Sequence, residues 1–477
     1  MQNKSRSWIR PIAATWLSIC LGPVPVPAEP EHAFRYGADE RVRQEYFDHI
    51  PVKVGNGVYA RQGENDYLRF RTRIWAERDL GSSATFRVRI VNESRAWLHP
   101  DVSQRPQRST SEWPDEWVFD NLYLDVRNVW DGNLNLRIGR QELIYGSGNV
   151  IYEGTPGDGS RTLYFNAVKA TWKALPKTEV DFFALYNEPE DELAIHPANR
   201  DISGFPRARE GVTESGGGIY ARNRSHPAWP VEAYAIYKRE SEWEQTALRN
   251  AEGAFVQPAL AWQTLDPAHG VIRHEQLDFG TIGVRVQPSF TDSLSGELEL
   301  AGQFGQRDET TVRGFLANAC LKQSFAKAAG KPSVKAGILC LSGDDPGTEE
   351  DEGWNPVWAR HPQWSELYVF AWDTEESASR WSNLLAPSLE TLITPCARWD
   401  ATFRISYLHA FEDDGKGDGL SRGWLARWRN DFRFKENWLI AKDRLTGHLM
   451  AEALDPGNYY PTDETAVFVR WEFNYAF

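Results

Sequence analysis

The chain has 477 residues, 41% of them apolar and 13% aromatic, with 53 Lys and Arg against 67 Asp and Glu. The formal charge of −14 argues against a nucleic-acid partner. A mean hydropathy of −0.55, without a run of about eighteen apolar residues outside the N-terminus, argues against helical membrane spanning. What remains is a soluble protein of several domains or one large all-β barrel, whose strands escape hydropathy because half of each faces water.

The N-terminus reads as a targeting segment. Lys4, Arg6 and Arg10 precede an apolar stretch, 12–21, and a Pro-rich stretch, 22–28. This pattern predicts a signal peptide over 1–28, cleaved after Ala28. Ile19 is too large for the position before a lipidated Cys20. Cleavage removes three basic residues and no acidic one, leaving 29–477 as one unit with a formal charge of −17.

Strand signals then follow one another with no linker and no internal repeat. The first is 40–50. In 67–77, Leu68, Phe70, Thr72 and Ile74 share one face and Arg69, Arg71, Arg73 and Glu77 the other. In 84–92, Phe86, Val88 and Ile90 oppose Arg87 and Arg89. Strands 122–130 and 134–141 flank the turn Asp131-Gly132-Asn133, a hairpin signal, with Asp125, Arg127 and Arg137 on their polar faces. A second hairpin joins 162–173 to 179–186 around Leu175-Pro176-Lys177-Thr178. Further strands are expected at 217–223, 231–240, 254–262, 277–288 and 294–307, then at 367–372, 388–396, 401–411, 423–434 and 443–453. The interval 308–363 lacks alternation and is expected as a long loop. The chain ends on 465–477, where Val467, Val469, Trp471, Phe473, Tyr475 and Phe477 alternate with Arg470, Glu472 and Asn474; Phe468 breaks the pattern.

Period-two alternation with an aromatic face and a polar face describes strands between lipid and water. A closed barrel is the all-β form that satisfies its backbone hydrogen bonds in lipid. The expectation is therefore a single antiparallel transmembrane β-barrel of about 18 strands in the outer membrane, with long extracellular loops and short periplasmic turns. An aromatic final residue in phase with the last strand resembles the signal that the outer-membrane insertion machinery reads.

The polar faces then point into the lumen, where Arg69, Arg71, Arg73, Arg87, Arg89, Arg127 and Arg137 would form a positive wall. The competing reading is that they pair locally with acids and only fill the lumen. Of the cysteines left after cleavage, Cys320 and Cys340 bracket a polar stretch and are expected to form a disulfide closing a surface loop, with other pairings involving Cys396 open. The acidic run 344–352 lacks an EF-hand spacing and reads as a solvated loop rather than a calcium site. No metal-ligand spacing, cofactor motif or nucleophile motif stands out, and no enzymatic activity is expected.

One segment carries a resemblance. Gly139-Arg140-Gln141-Glu142, then Tyr145-Gly146, then Phe165-Asn166-Ala167-Val168-Lys169 resembles the signature of the alginate export family of outer-membrane barrels, with Asn166 where relatives carry an acid. The resemblance implies an eighteen-stranded porin whose arginine-rich lumen passes an anionic oligo- or polysaccharide, without a cofactor. A general nutrient porin, or a plugged barrel serving as a surface binding protein, is the alternative.

Overall fold

The computed structural model of the chain describes residues 33–53, 59–99, 111–112, 117–152, 164–188, 193–195, 212–246, 263–359, 362–369, 381–413 and 417–477. The signal peptide over 1–28 and the strand expected at 254–262 lie outside them. Eighteen long antiparallel strands form one closed sheet. In chain order they are β1 (Phe34–Asp48), β2 (Asn65–Asp79), β3 (Ala84–His99), β4 (Trp117–Val129), β5 (Leu134–Gln141), β6 (Phe165–Trp172), β7 (Thr178–Asn187), β8 (Glu214–Asn223) and β9 (Val231–Glu240). There follow β10 (Leu277–Val286), β11 (Leu294–Arg307), β12 (Thr310–Ser324), β13 (Ser333–Leu341), β14 (Leu384–Cys396), β15 (Trp399–His409), β16 (Ser421–Glu436), β17 (Arg444–Pro456) and β18 (Ala466–Ala476). The barrel closes where β18 pairs with β1, from Asp39↔Ala476 to Asp48↔Val467. Closure leaves no edge strand, which is what lipid requires.

Strand sequences explain the wall. Ile74, Phe86, Ile138, Phe182, Ile282 and Phe473 point outward and are exposed on the wall, as side chains that face lipid are. Their neighbours Arg71, Arg89, Asp181, Thr281 and Glu472 point inward and are buried. Short turns at 80–83, 130–133 and 173–177 alternate with long connections at the opposite end, such as 188–213 and 342–383.

Gly139 shows why the motif begins with glycine. It pairs with Tyr123 of β4 at a φ of 122°, and a Cβ there would lie 2.3 Å from the Leu122 carbonyl oxygen. Gly139→Val is expected to cost about 3 kcal/mol or more through strain and overlap. The loss would appear as a smaller compact, heat-modifiable band on a gel, and a wild-type yield of that band would contradict the assignment.

Three expectations are corrected. The interval 308–363 is not one loop: Asp308 and Glu309 form a tight turn, β12 and β13 follow, and only the part beyond Leu341 leaves the wall. Cys320 and Cys340 are both free thiols. They sit on adjacent strands, where Cys320 pairs with Gly337 and Cys340 with Ala317. Cys320 shares the inner face with Gly337, whereas Cys340 falls on the outer face with Ile338. Side chains on opposite faces of a sheet cannot meet to form a disulfide. Finally, Leu367–Val369, expected as the start of a strand, is a helical turn with Leu367 and Tyr368 fully buried.

Candidate functional site

The inner face of β1 presents Asp39, Arg41, Arg43 and Glu45 in ascending order, beside Arg73, Arg71 and Arg69 of β2. Cross-strand pairing places Arg41 opposite Arg71 and Arg43 opposite Arg69, arrangements that repel unless acids intervene. They do intervene. Asp39 accepts from Arg71 at 3.0 Å and Arg73 at 2.8 Å, and Arg69 reaches Glu93 at 2.6 Å and Glu45 at 3.2 Å. Arg43 pairs with Glu45 at 2.9 Å, and Arg470 of β18 also contacts Glu45. Arg87 pairs with Glu77 at 2.9 Å, Arg89 with Asp120 at 2.8 Å and with Glu142, and Arg137 with Asp125 at 2.7 Å. Of the seven arginines expected in the lumen, six are thus locally paired. Arg127, at the foot of β4, has no ion pair among the described residues.

Alternation alone would have added Arg41 and Arg43, which the sequence reading passed over although they lie two apart in its first strand. It could not have found Lys442 and Arg444. These flank the end of the periplasmic turn between β16 and β17, and no periodic pattern marks them. The turn is rigid. The Asp443 carboxylate accepts the backbone N–H groups of Trp438 (2.5 Å), Leu439 (2.6 Å) and Ile440 (3.0 Å) and the Tyr475 hydroxyl (2.7 Å). Burial works against its charge, yet these donors hold its pKa down at about 2. Asn437 accepts the Lys442 N–H at 2.7 Å, fixing Lys442 at a φ of 70°.

Lys442 and Arg444 line a cavity of about 370 Å³ at the periplasmic end of the lumen, together with Asp39, Arg73, Trp75, Arg87, Arg89, Asn474 and the C-terminal Phe477. Five cationic side chains face this space, against the Asp39 side-chain carboxylate and the α-carboxyl group of Phe477. Among the described residues Lys442 and Arg444 have no ion pair and both are exposed, so their positive charge is not cancelled by an acidic side chain, unlike that of Arg73, Arg87 and Arg89. The opposite wall differs. Arg222 holds Asp181 at 2.8 Å and also contacts Glu179, while Arg285 holds Glu232 at 2.8 Å and Glu297 at 2.5 Å. Glu299 accepts from Ser147, Asn149 and Tyr234 at 2.6, 2.9 and 3.1 Å.

Among the described residues, two connections turn inward rather than outward. The first carries the motif. Arg140 donates to the Phe119 carbonyl at 2.7 Å and to Asn166 at 3.0 Å, so the position expected to carry an acid keeps its hydrogen bond without a charge. Gln141 donates to the Ala167 and Gly139 carbonyls at 2.9 and 3.1 Å, and Glu142 contacts Arg89. Tyr145 stacks on Tyr220 at 4.4 Å, and Gly146 turns the chain at a φ of 59°. The second inward segment follows β13. Its Trp358–Ala359 pairs in parallel with Ile151–Tyr152 of the first, and Gln363 donates to the Ser147 carbonyl at 2.9 Å. The motif residues therefore build the base of an inward loop; Arg140, Gln141, Tyr145 and Gly146 act as scaffold.

The acidic run is divided by this packing. Asp351 pairs with Arg307 at 2.9 Å and Glu350 with Arg313 at 3.0 Å, while Asp344 accepts the Glu352 N–H at 2.9 Å.

The profile for proteins described as Alginate export matches residues 34–406, most of the chain. The chain belongs to the alginate export family. No curated protein matches it in sequence. Solved structures with the same fold include OpdK of Pseudomonas aeruginosa, with a TM-score of 0.56, 8% identity, and coverage of 93% of this chain and 98% of that one. OccK2 (OpdF) of the same organism, in complex with glucuronate, gives a TM-score of 0.52 and 10% identity over 92% of this chain and 97% of its own. OccAB2 of Acinetobacter baumannii gives 0.52 and 11% over 93% and 98%. This alginate export family member is thus an outer-membrane porin with a closed 18-strand barrel.

Proposed function

We propose that this porin conducts anionic saccharides and sugar acids passively through its basic lumen. The observation that carries this reading is the periplasmic cavity, where Lys442 and Arg444 stand without an acidic partner among the described residues beside Arg73, Arg87 and Arg89. Uncompensated cations in a confined, poorly screened space raise the local concentration of anions and exclude cations. Guanidinium and ammonium groups also supply the donors that carboxylates and hydroxyls accept. Transport of this kind needs no cofactor and no chemical step. Its partners are the anionic solute, the surrounding lipid and, during assembly, the insertion machinery through the aromatic β18.

Swelling of liposomes containing the protein tests the charge preference. Glucuronate, the ligand in that OccK2 structure, should enter several-fold faster than glucose, and glucosamine should enter slowest. Entry of the amine ahead of the acid would remove the basis for the reading.

A further inference from the structure

On the outer face of the barrel, the periplasmic end of β16 departs from simple alternation. Its register with β17 shifts between Arg433 and Lys435, where a β-bulge leaves Phe434 as the extra residue. Beyond the bulge Lys435 pairs with Leu445, which pairs in turn with Tyr475 of β18. Tyr475 lies two residues beyond the outward Phe473, so Lys435 and Tyr475 share the outer face. The Phe434 ring is on that face too, 5.4 Å from Phe473 and 5.5 Å from Phe432, which stacks on Trp399 at 6.2 Å. The bulge thus places an aromatic ring and a cation side by side where the wall ends.

The turn that follows folds toward the same side. Trp438, Leu439 and Ile440 are 53%, 64% and 49% exposed, and the Trp438 ring meets Tyr475 edge-on at 6.4 Å. Asp443 holds the turn in place through three backbone N–H groups and the Tyr475 hydroxyl, so its charge is shared among four fixed donors. Three consecutive apolar side chains on a rigid turn, continuous with a wall that lipid covers, suit the interfacial layer of a membrane rather than water.

The neighbouring turns supply charge. Lys327 and Lys331 between β12 and β13, Arg398 between β14 and β15, and Lys435 are all exposed, and none of the four makes an ion pair among the described residues. The turns adjoin: the Arg433 N–H donates to the Arg398 carbonyl at 2.9 Å and the Thr394 N–H to the Gly330 carbonyl at 2.7 Å. The nearby acids are turned to other partners, Asp400 to Arg433 and Glu436 to the inner face opposite Arg444. A chain whose formal charge is −14 therefore presents a basic rim on this side.

We propose that this outer face binds an anionic phospholipid of the periplasmic leaflet, with its acyl chains on Phe432, Phe434 and Phe473 and its phosphate at Lys435 and Arg398. A long side chain at the end of a lipid-facing strand reaches the headgroup layer with its charge while its stem stays on apolar surface. An ethanolamine headgroup carries its own ammonium and neutralises the phosphate, whereas a glycerol headgroup leaves the phosphate charge for the rim to meet. The site is independent of what the lumen conducts.

Native mass spectrometry of the full-length protein, released from detergent micelles doped with equal amounts of phosphatidylglycerol and phosphatidylethanolamine, tests the assignment. The wild-type protein should retain phosphatidylglycerol several-fold more than phosphatidylethanolamine, and excess glycerol phosphate should not displace it. Lys435→Gln with Arg398→Gln should lower phosphatidylglycerol retention roughly five-fold or more, as loss of cations at a membrane surface does, and leave phosphatidylethanolamine at the wild-type level. Trp438→Ser with Ile440→Ser should lower both. Lys173→Gln, in the turn between β6 and β7 and paired with Glu179, is the control and should change neither. Heat-modifiable migration confirms the barrel in each variant, and the wild-type comparison stands if one does not assemble. Equal retention of the two lipids by the wild type, or unchanged phosphatidylglycerol retention in the Lys435 and Arg398 double variant, overturns the proposal. So does displacement by glycerol phosphate, which would mark a site for soluble phosphates, or a wild-type dimer that the Trp438 and Ile440 variant dissolves, which would give this face to a second copy of the chain.

Discussion

Replacing Lys442 and Arg444 together by glutamine is expected to remove most of the anion preference while leaving the barrel intact. A unit charge about 8 Å from a permeating ion, at an effective dielectric of about 40, contributes about 1 kcal/mol. Each neutralisation should therefore lower anion entry roughly five-fold and raise cation entry by a similar factor, so that the anion-to-cation permeability ratio falls roughly thirty-fold at low salt. Both side chains are exposed on a turn whose geometry is set by Asp443 and Asn437, so folding should not change. Arg313→Gln is the control, because Arg313 is 65% exposed in its side chain and paired with Glu350 away from the cavity. Reversal potentials in a salt gradient read the effect. If the double variant matches the wild type while Arg313→Gln shifts, the cavity does not set selectivity.

The second large effect concerns stability. Lys238 sits between Glu214 and Glu240 at 2.9 and 2.8 Å, and all three are almost fully buried. Glu214 and Glu240 face each other across β8 and β9, with His274 3.8 Å from Glu240. Lys238→Met leaves two buried carboxylates without their shared cation, a loss of about 3–5 kcal/mol. It also removes the hydrogen bond to Val357 that holds the second inward segment to β9. A lower midpoint of urea unfolding in lipid vesicles would report the first effect and a noisier, higher conductance the second. Adding Glu214→Gln and Glu240→Leu should restore much of the stability, because a neutral trio no longer strands a charge. Wild-type unfolding of the single variant would show that water already reaches the cluster.

Which parts of this architecture were legible in the sequence follows from what each strand faces. Where one face meets lipid and the other meets water or ions, alternation is clean, and 67–77, 84–92, 134–141 and 465–477 were read correctly. Where the lumen is filled, the rule fails. Val312 and Leu316 of β12 and Leu339 and Leu341 of β13 point inward, buried in one apolar core with Trp354 and Trp358 of the second inward segment. Apolar side chains therefore stand on both faces of those strands, with Phe315, Leu321 and Ile338 outward, and the interval 308–363 looked like a loop. The same core misled in the opposite sense at Leu367 and Tyr368, apolar residues that belong to the second inward segment and not to the wall. Phe468, which broke the pattern of the last strand, packs on Phe47 in that core.

The site was legible only in part. The arginines of β2 and β3 stood out by alternation, but their acidic partners lie on neighbouring strands whose register no local pattern fixes. Whether Arg89 is free or bound to Asp120 depends on a bulge where β3 meets β4. Lys442 and Arg444 belong to a turn, and only closure of β18 onto β1 brings them beside Arg73 and Arg87. The motif was visible, yet its role in building an inward loop required Gly139, Tyr145 and Gly146 to be placed against β4 and β8.

The central claim is that uncompensated cations in the lumen select anions. A zero-current potential across a planar bilayer holding the wild-type protein, in a potassium chloride gradient at low ionic strength, tests it most directly. The potential should have the sign of chloride permeation and should collapse toward zero as salt rises and screens the cavity. A potential of the opposite sign, carried by potassium, would contradict the account.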